Sequence, residues 1–421
     1  MNGYDAPRGL PKKFWYLWSS QAVSLNGNAL QLIALPLWIY AHTGSALSTG
    51  FSFAVQFVPL VVLAPWAGYI VDRFDRKRLM ISCELLSAVV VAGLIAAMYS
   101  ESLLGVYLLL PVLRVFNALT MPAFHAATVT LVAKEDRAKS ATVMEAMIGA
   151  NNAVAPLAGA GLAAWLGYES VLIVNLISFL LAAILLLPLG PLPGQGEMGG
   201  LWRSTVAAVR VISRDGVLRA AALAETSFFL FFGSGIVLAL LLAKDSYGTG
   251  LAGVATSGSG VGWVLASMFI IRRFRHRPMM VMAVSALACV PAVALVVAVV
   301  DLGPAAMFTA AIALGAVNVG VGAGASVLYQ QQVTSEIAGR VIALRRALLN
   351  LALAVSHVLM PAVATVGVGN GPALILFSVL TAGSVLIALL SPRARRRGTD
   401  GRTEEAISQL DETVSSVGKA P

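Results

Sequence analysis

Glu225 is an acidic residue with aromatic neighbours in the sequence. Phe228, Phe229 and Phe232 follow it three, four and seven residues later, so a helix would place all four side chains on one face. A carboxyl group beside aromatic rings is shielded from water, which suits proton exchange, and the rings could hold an apolar or cationic compound. The alternative is a structural ion pair with Arg219. The spacing therefore predicts either a proton-exchange site beside a cavity or a structural charge pair.

Three further ionisable residues interrupt apolar stretches, namely Arg114, Glu84 and Glu145. A charge in the hydrocarbon of a membrane costs about 2.5–3.5 kcal/mol on insertion scales, so each is a candidate functional residue. Arg114 could bind an anionic group or belong to a structural ion pair. Glu84 and Glu145 are candidates for proton exchange. The alternatives are salt bridges, which would join Glu84 to arginines of a nearby loop and Glu145 to Arg346.

Uncharged polar residues in the apolar stretches are the remaining candidates for lining a cavity. They are Asn28, Gln31, Asn117, Asn151 and Asn318. Such side chains either face a polar cavity or form hydrogen bonds between helices. His357 interrupts another stretch, and we expect it to be a hydrogen-bonded packing residue. The histidines and acids are scattered over separate elements, so the sequence predicts neither a catalytic cluster nor a metal site.

Twelve apolar segments must position these residues. The chain is 58% hydrophobic and 12% charged, whereas an ordinary soluble domain is about 25% charged. A membrane-spanning helix needs about 20 mostly apolar residues, and these segments lack the alternation of barrel strands. The segments are 14–41, 46–71, 79–100, 103–124, 140–165, 168–190, 218–243, 250–271, 279–300, 304–328, 341–366 and 371–391. We therefore predict an all-α membrane protein with twelve transmembrane helices.

Basic residues are distributed unevenly between the loops. Twelve crossings place both termini on one side, and the loops then alternate between the two faces. All but two of the 29 Lys and Arg residues fall on the face of the termini; the exceptions are Lys244 on the opposite face and Arg114 inside a segment. Because basic loops stay in the cytoplasm, we expect a protein of the cytoplasmic (inner) membrane with both termini in the cytoplasm. Orientation thus explains the net charge of +9, and no nucleic-acid partner is predicted.

The chain divides into two related halves. The sequence around Arg73 recurs around Arg273, in the corresponding loop of the second half. The linker between the halves has the pattern of an amphipathic helix, expected on the cytoplasmic membrane surface, and the polar tail is predicted to be disordered. The predicted units are the N-terminal six-helix bundle 1–190, the linker 191–217, the C-terminal six-helix bundle 218–392 and the tail 393–421. Such pseudo-symmetric bundles hold a binding site at their interface.

The loop between the second and third segments carries a specific motif. It reads Gly68-Tyr69-Ile70-Val71-Asp72-Arg73-Phe74-Asp75-Arg76-Lys77. This loop resembles the signature G-x-x-x-D-R-x-x-R-[RK] of the major facilitator superfamily, and the resemblance extends over residues 14–391. The local sequence is most similar to drug and siderophore exporters of the macrolide-efflux and enterobactin-exporter type. The stretches that carry this second similarity are 34–37, 42–46 and 339–344.

The resemblance implies that this loop belongs to a gate. Asp72 would meet the start of helix 11, near Arg340, and close the cytoplasmic side when the protein faces outward. Arg73 would share that role, and Gly68 would let two helix ends approach closely. The alternative is that the basic residues of the motif only fix the orientation of the chain.

A second motif lies in the fifth segment. Pro156 and Gly159 belong to a stretch that resembles the exporter motif G-P-x-x-G-G, with Ala155 and Ala160 in place of two glycines. The resemblance implies a helix bend that favours antiport. Close packing of a neighbouring helix on these small residues is the alternative.

Together the segments and the resemblance imply a secondary active transporter whose halves rock around a central site. It would export a small amphiphilic compound, a drug or secondary metabolite, in exchange for protons. A dedicated siderophore or antibiotic self-resistance exporter and a solute uptake symporter are the alternatives. The sequence has no phosphate-binding loop for ATP, so the proton gradient would supply the energy without a cofactor. A monomer with a small-molecule substrate and the lipid bilayer as partners is expected, and a membrane enzyme is not.

Overall fold

Helices account for almost all of the chain that the structure describes. The computed structural model describes residues 9–133, 136–194, 201–274, 277–333 and 335–391. These ranges contain helices and short connections, and no β-strand. The predicted tail 393–421 lies outside the described residues.

The described residues form thirteen α-helices. In the N-terminal half they are α1 (Lys12–Thr43), α2 (Ala46–Arg73), α3 (Arg76–Tyr99), α4 (Leu103–Leu131), α5 (Arg137–Leu166) and α6 (Tyr168–Leu186). The short α7 (Leu201–Arg214) follows. In the C-terminal half they are α8 (Gly216–Phe232), α9 (Gly235–Phe274), α10 (Pro278–Val299), α11 (Pro304–Gln332), α12 (Ser335–Val363) and α13 (Asn370–Leu390).

Eleven stretches of the described chain are long and apolar enough to cross a membrane. Helix α9 contributes to two of them, because Gly248 adopts a positive φ of 78° that interrupts the helix. One span is therefore Gly216–Gly248, and the next begins at Gly250. Helix α5, with 30 residues, supplies the remaining predicted span. The prediction of an all-α fold with twelve transmembrane helices is confirmed.

Equivalent turns in the two halves have the same backbone geometry. Gly167, which precedes α6, has φ 85° and ψ 160°, and Gly369, which precedes α13, has φ 78° and ψ 165°. Both turns use a left-handed conformation that glycine adopts at little cost. Helices α4 and α11 also have equal lengths of 29 residues. The repeat found in the sequence is thus a repeat of helices and turns.

The hydrophobic core of the N-terminal half includes Trp38, Leu94 and Phe179. A larger core, which includes Phe228 and Phe377, consists mostly of C-terminal residues and extends to Leu37 and Ala160 of the N-terminal half. Because lipid tails are as apolar as these side chains, close packing holds the helices together in a membrane.

Helix α7 lies in the linker, where an amphipathic helix was predicted, and two of its apolar residues pack on protein. Ala208 and Ile212 are buried in the core of the C-terminal half, and α7 packs against α8 and α12. Arg210 and Arg214 remain exposed. Ala208 and Ile212 therefore pack on protein, because α8 and α12 offer an apolar surface next to the linker.

Candidate functional site

An ion pair joins Glu225 of α8 to Arg345 of α12. Arg345 Nε donates to Glu225 Oε2 over 2.7 Å, and Arg345 Nη2 donates to Oε1 over 2.5 Å. The pair is therefore bidentate, which is the strongest geometry for a guanidinium and a carboxylate. Glu225 is only 1% exposed. Arg219, the alternative partner, donates instead to the carbonyl of Ser213.

Helix α11 completes the surroundings of this pair. Arg345 Nη2 also donates to the carbonyl of Gly322 over 3.2 Å and to Ser326 Oγ over 3.0 Å. The guanidinium carbon lies 5.1 Å from the centre of the Tyr329 ring, a cation–π distance. Glu225 lies about 14 Å along α8 from its start, so the cluster joins three helices well inside the C-terminal half.

The aromatic residues that follow Glu225 have different environments. Phe228 and Phe232 are fully buried, with ring centres 5.9 Å apart in an edge-to-face contact. Both contribute to the core of the C-terminal half. Phe229 is half-buried and packs against that core. The structure thus gives Phe228 and Phe232 a packing role, and Phe229 is the member of the group with an accessible surface.

Sequence reasoning missed Arg345 as a site residue. It grouped Arg345 with the basic residues that fix orientation, although the residue lies within the predicted segment 341–366. An arginine inside an apolar segment was the available signal, because such a charge requires a partner. That partner is Glu225 of α8, the acidic residue that the sequence had singled out as a candidate.

A second polar cluster lies in the N-terminal half. Arg114 Nε of α4 donates to Gln56 Oε1 of α2 over 2.9 Å. One helical turn away, Asn117 Nδ2 donates to Asn28 Oδ1 of α1 over 3.4 Å. Asn28, Arg114 and Asn117 are half-buried, whereas Gln56 is buried. Three of the predicted cavity residues are thus brought together on α1 and α4, with Gln56 as a further member.

Glu84 is separate from this cluster. Its Oε2 accepts a hydrogen bond from Ser24 Oγ of α1 over 3.0 Å, and it is 2% exposed. The salt bridge expected between Glu84 and the arginines of the loop is not formed within the described part of the chain. The carboxyl group is therefore held between α3 and α1 by a neutral donor.

The remaining polar candidates are spread over the bundle. Gln31 Oε1 accepts from Asn175 Nδ2 over 2.6 Å in a buried contact between α1 and α6. Asn151 Oδ1 is buried without a hydrogen bond to the described residues, and Asn318 is half-buried in α11. The predicted roles of Glu145, Asp72, Arg340 and Pro156 depend on side chains outside the described part of the structure.

Gly159 lies where α5 approaches α1. A Cβ at this position would be 3.0 Å from the carbonyl oxygen of Leu30 and 3.1 Å from the Cβ of Ile33. The position therefore admits only a very small residue, which agrees with the packing alternative for this motif.

The motif loop between α2 and α3 holds the end of α6. Lys77 Nζ donates to the carbonyls of Leu187 and Leu189, over 2.8 Å and 2.5 Å. Asp75 Oδ2 accepts from the backbone N–H of Leu192 over 2.7 Å. A lysine at a helix C-terminus satisfies carbonyls that have no partner in the helix. Lys77 thus has a structural role in addition to the predicted effect on orientation.

The arginines of the motif contact their own half. Arg73 Nη1 donates to the hydroxyl of Tyr69 over 2.8 Å, and Arg76 Nη1 donates to Thr130 Oγ1 over 2.9 Å. Arg76 is buried, with 4% exposure. These bonds tie the loop to α2 and α4, so the loop is an ordered part of the N-terminal half.

On the face opposite the termini, polar side chains join the two halves. Tyr40 at the end of α1 donates its hydroxyl to Asp245 Oδ2 over 3.0 Å. Asn370 Nδ2 donates to the same oxygen over 3.4 Å. Lys244 Nζ donates to the carbonyl of Leu37 over 3.0 Å. Hydrogen bonds from α1 to the span Gly216–Gly248 therefore connect the halves on this face.

Close packing of α2 against α12 extends this connection. A Cβ on Gly50 would collide with the carbonyl of His357. The imidazole of His357 stacks on Phe53 with ring centres 4.8 Å apart and contacts Phe57 at 5.5 Å. Its Nδ1 lies 2.7 Å from the carbonyl of Leu353, which confirms the predicted packing histidine. We call the contacts around Tyr40–Asp245 and Gly50–His357 the cross-half seam.

Solved structures of transporters have this fold. The chain is similar to the nucleoside transporter NupG, with a TM-score of 0.73 and 12% identity, over 90% of this chain and 100% of that one. It is also similar to a bacterial homologue of the iron transporter ferroportin in an inward-facing state, with a TM-score of 0.66 and 14% identity, over 92% of this chain and 100% of that one. At these identities the similarity concerns the fold alone.

Sequence comparison adds relatives of higher identity. The chain is 31% identical to macrolide efflux protein A of Streptococcus pyogenes over 176 residues, which are 41% of this chain and 43% of the relative. It is 29% identical to the uncharacterized MFS-type transporter YfiS of Bacillus subtilis, over 40% of each chain. Each match covers less than half of the relative. The sequence profile of the Major Facilitator Superfamily matches residues 17–357, and the chain therefore belongs to this superfamily of multi-pass membrane proteins.

Proposed function

We propose that this protein is a secondary active exporter of a small amphiphilic compound, a drug or secondary metabolite, that works by alternating access in exchange for protons. The observation that carries the proposal is the cross-half seam. Tyr40 and Gly50 of one half contact Asp245 and His357 of the other on a single face. Two six-helix halves that meet on one face can rock to close the other.

Export as the direction of transport is supported by the relatives named macrolide efflux proteins. The short matches leave the substrate to experiment, and a dedicated siderophore or antibiotic exporter and an uptake symporter are the competing proposals. We propose that the protein is a monomer in the cytoplasmic membrane. Both termini would lie in the cytoplasm, because basic residues crowd the face of the termini. It acts without a cofactor or a nucleic-acid partner, and the proposed activity is transport without catalysis.

Glu225 is the proposed site of proton exchange, with Glu84 and Glu145 as further candidates. Protonation of Glu225 would remove the negative charge that Arg345 contacts through two nitrogens. The guanidinium would then keep only its bonds to Gly322 and Ser326 of α11. A proton would thus weaken the link between α8 and α12, which is how a local charge change could bias a movement of helices.

The test uses proteoliposomes with an imposed pH gradient. Erythromycin and ethidium, which are cations, and 2-naphthalenesulfonate, which is an anion, serve as transported probes. Wild type is compared with E225Q and with R219Q, which removes a charge from the same helix. We expect wild type and R219Q to move at least one probe against its gradient and to stop when the pH gradient is collapsed. E225Q should lose the response to the gradient. Wild-type transport that ignores the collapse would refute proton coupling, and full coupling in E225Q would exclude Glu225 as its site.

A further inference from the structure

Arg114 is a cation inside the N-terminal half that no described carboxylate neutralises. It lies in the middle part of α4, and its hydrogen-bond partner Gln56 is uncharged. The two acids buried elsewhere in the described interior are already engaged, Glu84 with Ser24 and Glu225 with Arg345. Arg114 therefore differs from Arg345, whose charge is balanced within the protein.

The guanidinium of Arg114 has N–H groups that form no hydrogen bond to the described residues. Only Nε is used in the hydrogen bond to Gln56. The terminal nitrogens Nη1 and Nη2 form no hydrogen bond to the described residues. Neither of them is among the fully buried atoms that lack a hydrogen-bond partner. The side chain is half-buried, so these nitrogens reach accessible space inside the bundle. A guanidinium in this state presents two N–H groups whose fork matches the oxygens of a carboxylate or phosphate.

The polar neighbours of Arg114 suit the head group of an amphiphilic molecule. Asn117 lies one helical turn along α4 and donates to Asn28 of α1, so both provide uncharged polar groups. Phe57, which follows Gln56 in α2, is half-buried and lies against His357 of the other half. Within the described structure, the cluster therefore combines a cation without a carboxylate partner and neutral hydrogen-bonding groups.

We infer that Arg114, oriented by Gln56, binds an anionic group of the transported compound, so that the substrate is an amphiphilic organic anion. This inference rests on the proposed function as an exporter of amphiphiles and adds the charge of the substrate to it. A cationic compound would meet an uncompensated positive charge at this site and would be disfavoured there.

Three probes with the same apolar body test the inference. They are 2-naphthylacetate, 2-naphthylacetamide and 2-(2-naphthyl)ethylammonium, which carry a negative, a neutral and a positive head group. Binding to the full-length protein in lipid nanodiscs is measured from the rise of the unfolding temperature with probe concentration. We expect wild type to bind the carboxylate at least about tenfold more tightly than the other two probes.

Three variants separate the charge of Arg114 from its packing. R114Q should lose the preference for the carboxylate while still binding the amide, and R114K should keep part of the preference because the charge remains. Q56E leaves Arg114 in place but supplies a carboxylate beside it, so it should lose the preference as well. The agreement of R114Q and Q56E keeps the test decisive if one variant fails to fold.

Several results would overturn the inference. They are an equal affinity for the three probes, a preference for the ammonium, binding of none of them, or an unchanged carboxylate preference in both R114Q and Q56E. Transport of erythromycin, ethidium and the anion 2-naphthalenesulfonate is measured in parallel in proteoliposomes. Wild-type export without a charge preference would leave the proposed function standing and refute the anion site. A carboxylate preference in binding without any export would support the anion site and refute the proposed function.

Discussion

Glu225 of α8 and Arg345 of α12 form a buried bidentate ion pair, with Arg345 Nε 2.7 Å from Glu225 Oε2. The two residues are 120 positions apart in the chain. A third helix, α11, contributes a carbonyl and a hydroxyl to the same guanidinium. One charge pair thus fixes the relative positions of three helices in the C-terminal half.

Substitution of one member of this ion pair should lower the stability of the protein. Removal of one partner of a buried ion pair typically costs about 3–5 kcal/mol, because the other charge stays buried without compensation. We therefore expect R345Q to lower the free energy of unfolding by this order in detergent micelles. The double variant E225Q/R345Q should recover much of the loss, since it leaves no unpaired charge. A double variant that is as unstable as the sum of the two single variants would contradict this account of the pair.

Loss of the hydroxyl of Tyr40 should loosen the cross-half seam. Y40F removes the donor to Asp245, and a hydrogen bond to a charged group contributes about 1.5–3 kcal/mol. We expect the population with this face open to rise roughly tenfold. Spin labels at Y99C and L302C, two exposed positions on this face, would report the distance between the halves. The native cysteines are both buried.

Tyr16 supplies the control for this measurement. It is 43% exposed and lies at the start of α1, on the face of the termini. Y16F should therefore leave the distance distribution between the labels unchanged. An identical distribution in Y40F and wild type would show that the hydroxyl of Tyr40 does not contribute to closure of the seam.

Substitution of Gly50 by alanine should also open the seam, for a steric reason. The added methyl group would collide with the carbonyl of His357, so α2 and α12 would have to separate. G161A is the matched control, because no heavy atom lies within 4 Å of a Cβ at Gly161. The same pair of spin labels should show a longer distance in G50A and not in G161A. Equal distances in both variants would mean that the approach of α2 to α12 tolerates a methyl group.

Removal of the ammonium group of Lys77 should destabilise the N-terminal half. K77M loses two hydrogen bonds to the carbonyls at the end of α6, and we expect a loss of about 1–2 kcal/mol in the free energy of unfolding. R78M is the control, because Arg78 is exposed and carries the same charge. If both variants lose equally little stability, the role of Lys77 is limited to membrane orientation.

The number and order of the transmembrane helices could be predicted because hydropathy is a local property. A span is identified by about 20 consecutive apolar residues, whatever its neighbours are. The turns at Gly167 and Gly369 are local as well, since each depends on a backbone conformation that glycine adopts readily. For the same reason the motif at residues 68–77 identified the superfamily before any helix was positioned.

The partners of the charged residues depended on tertiary structure. Glu225 pairs with Arg345, and Arg114 with Gln56, because helices distant in the sequence pack with particular rotations and depths. Those rotations follow from many small packing contacts between helices, which no single segment encodes. The sequence alone therefore determined which residues enter the membrane. Only the packed structure decided that Glu225 is paired with Arg345 and that Arg114 meets no carboxylate among the described residues.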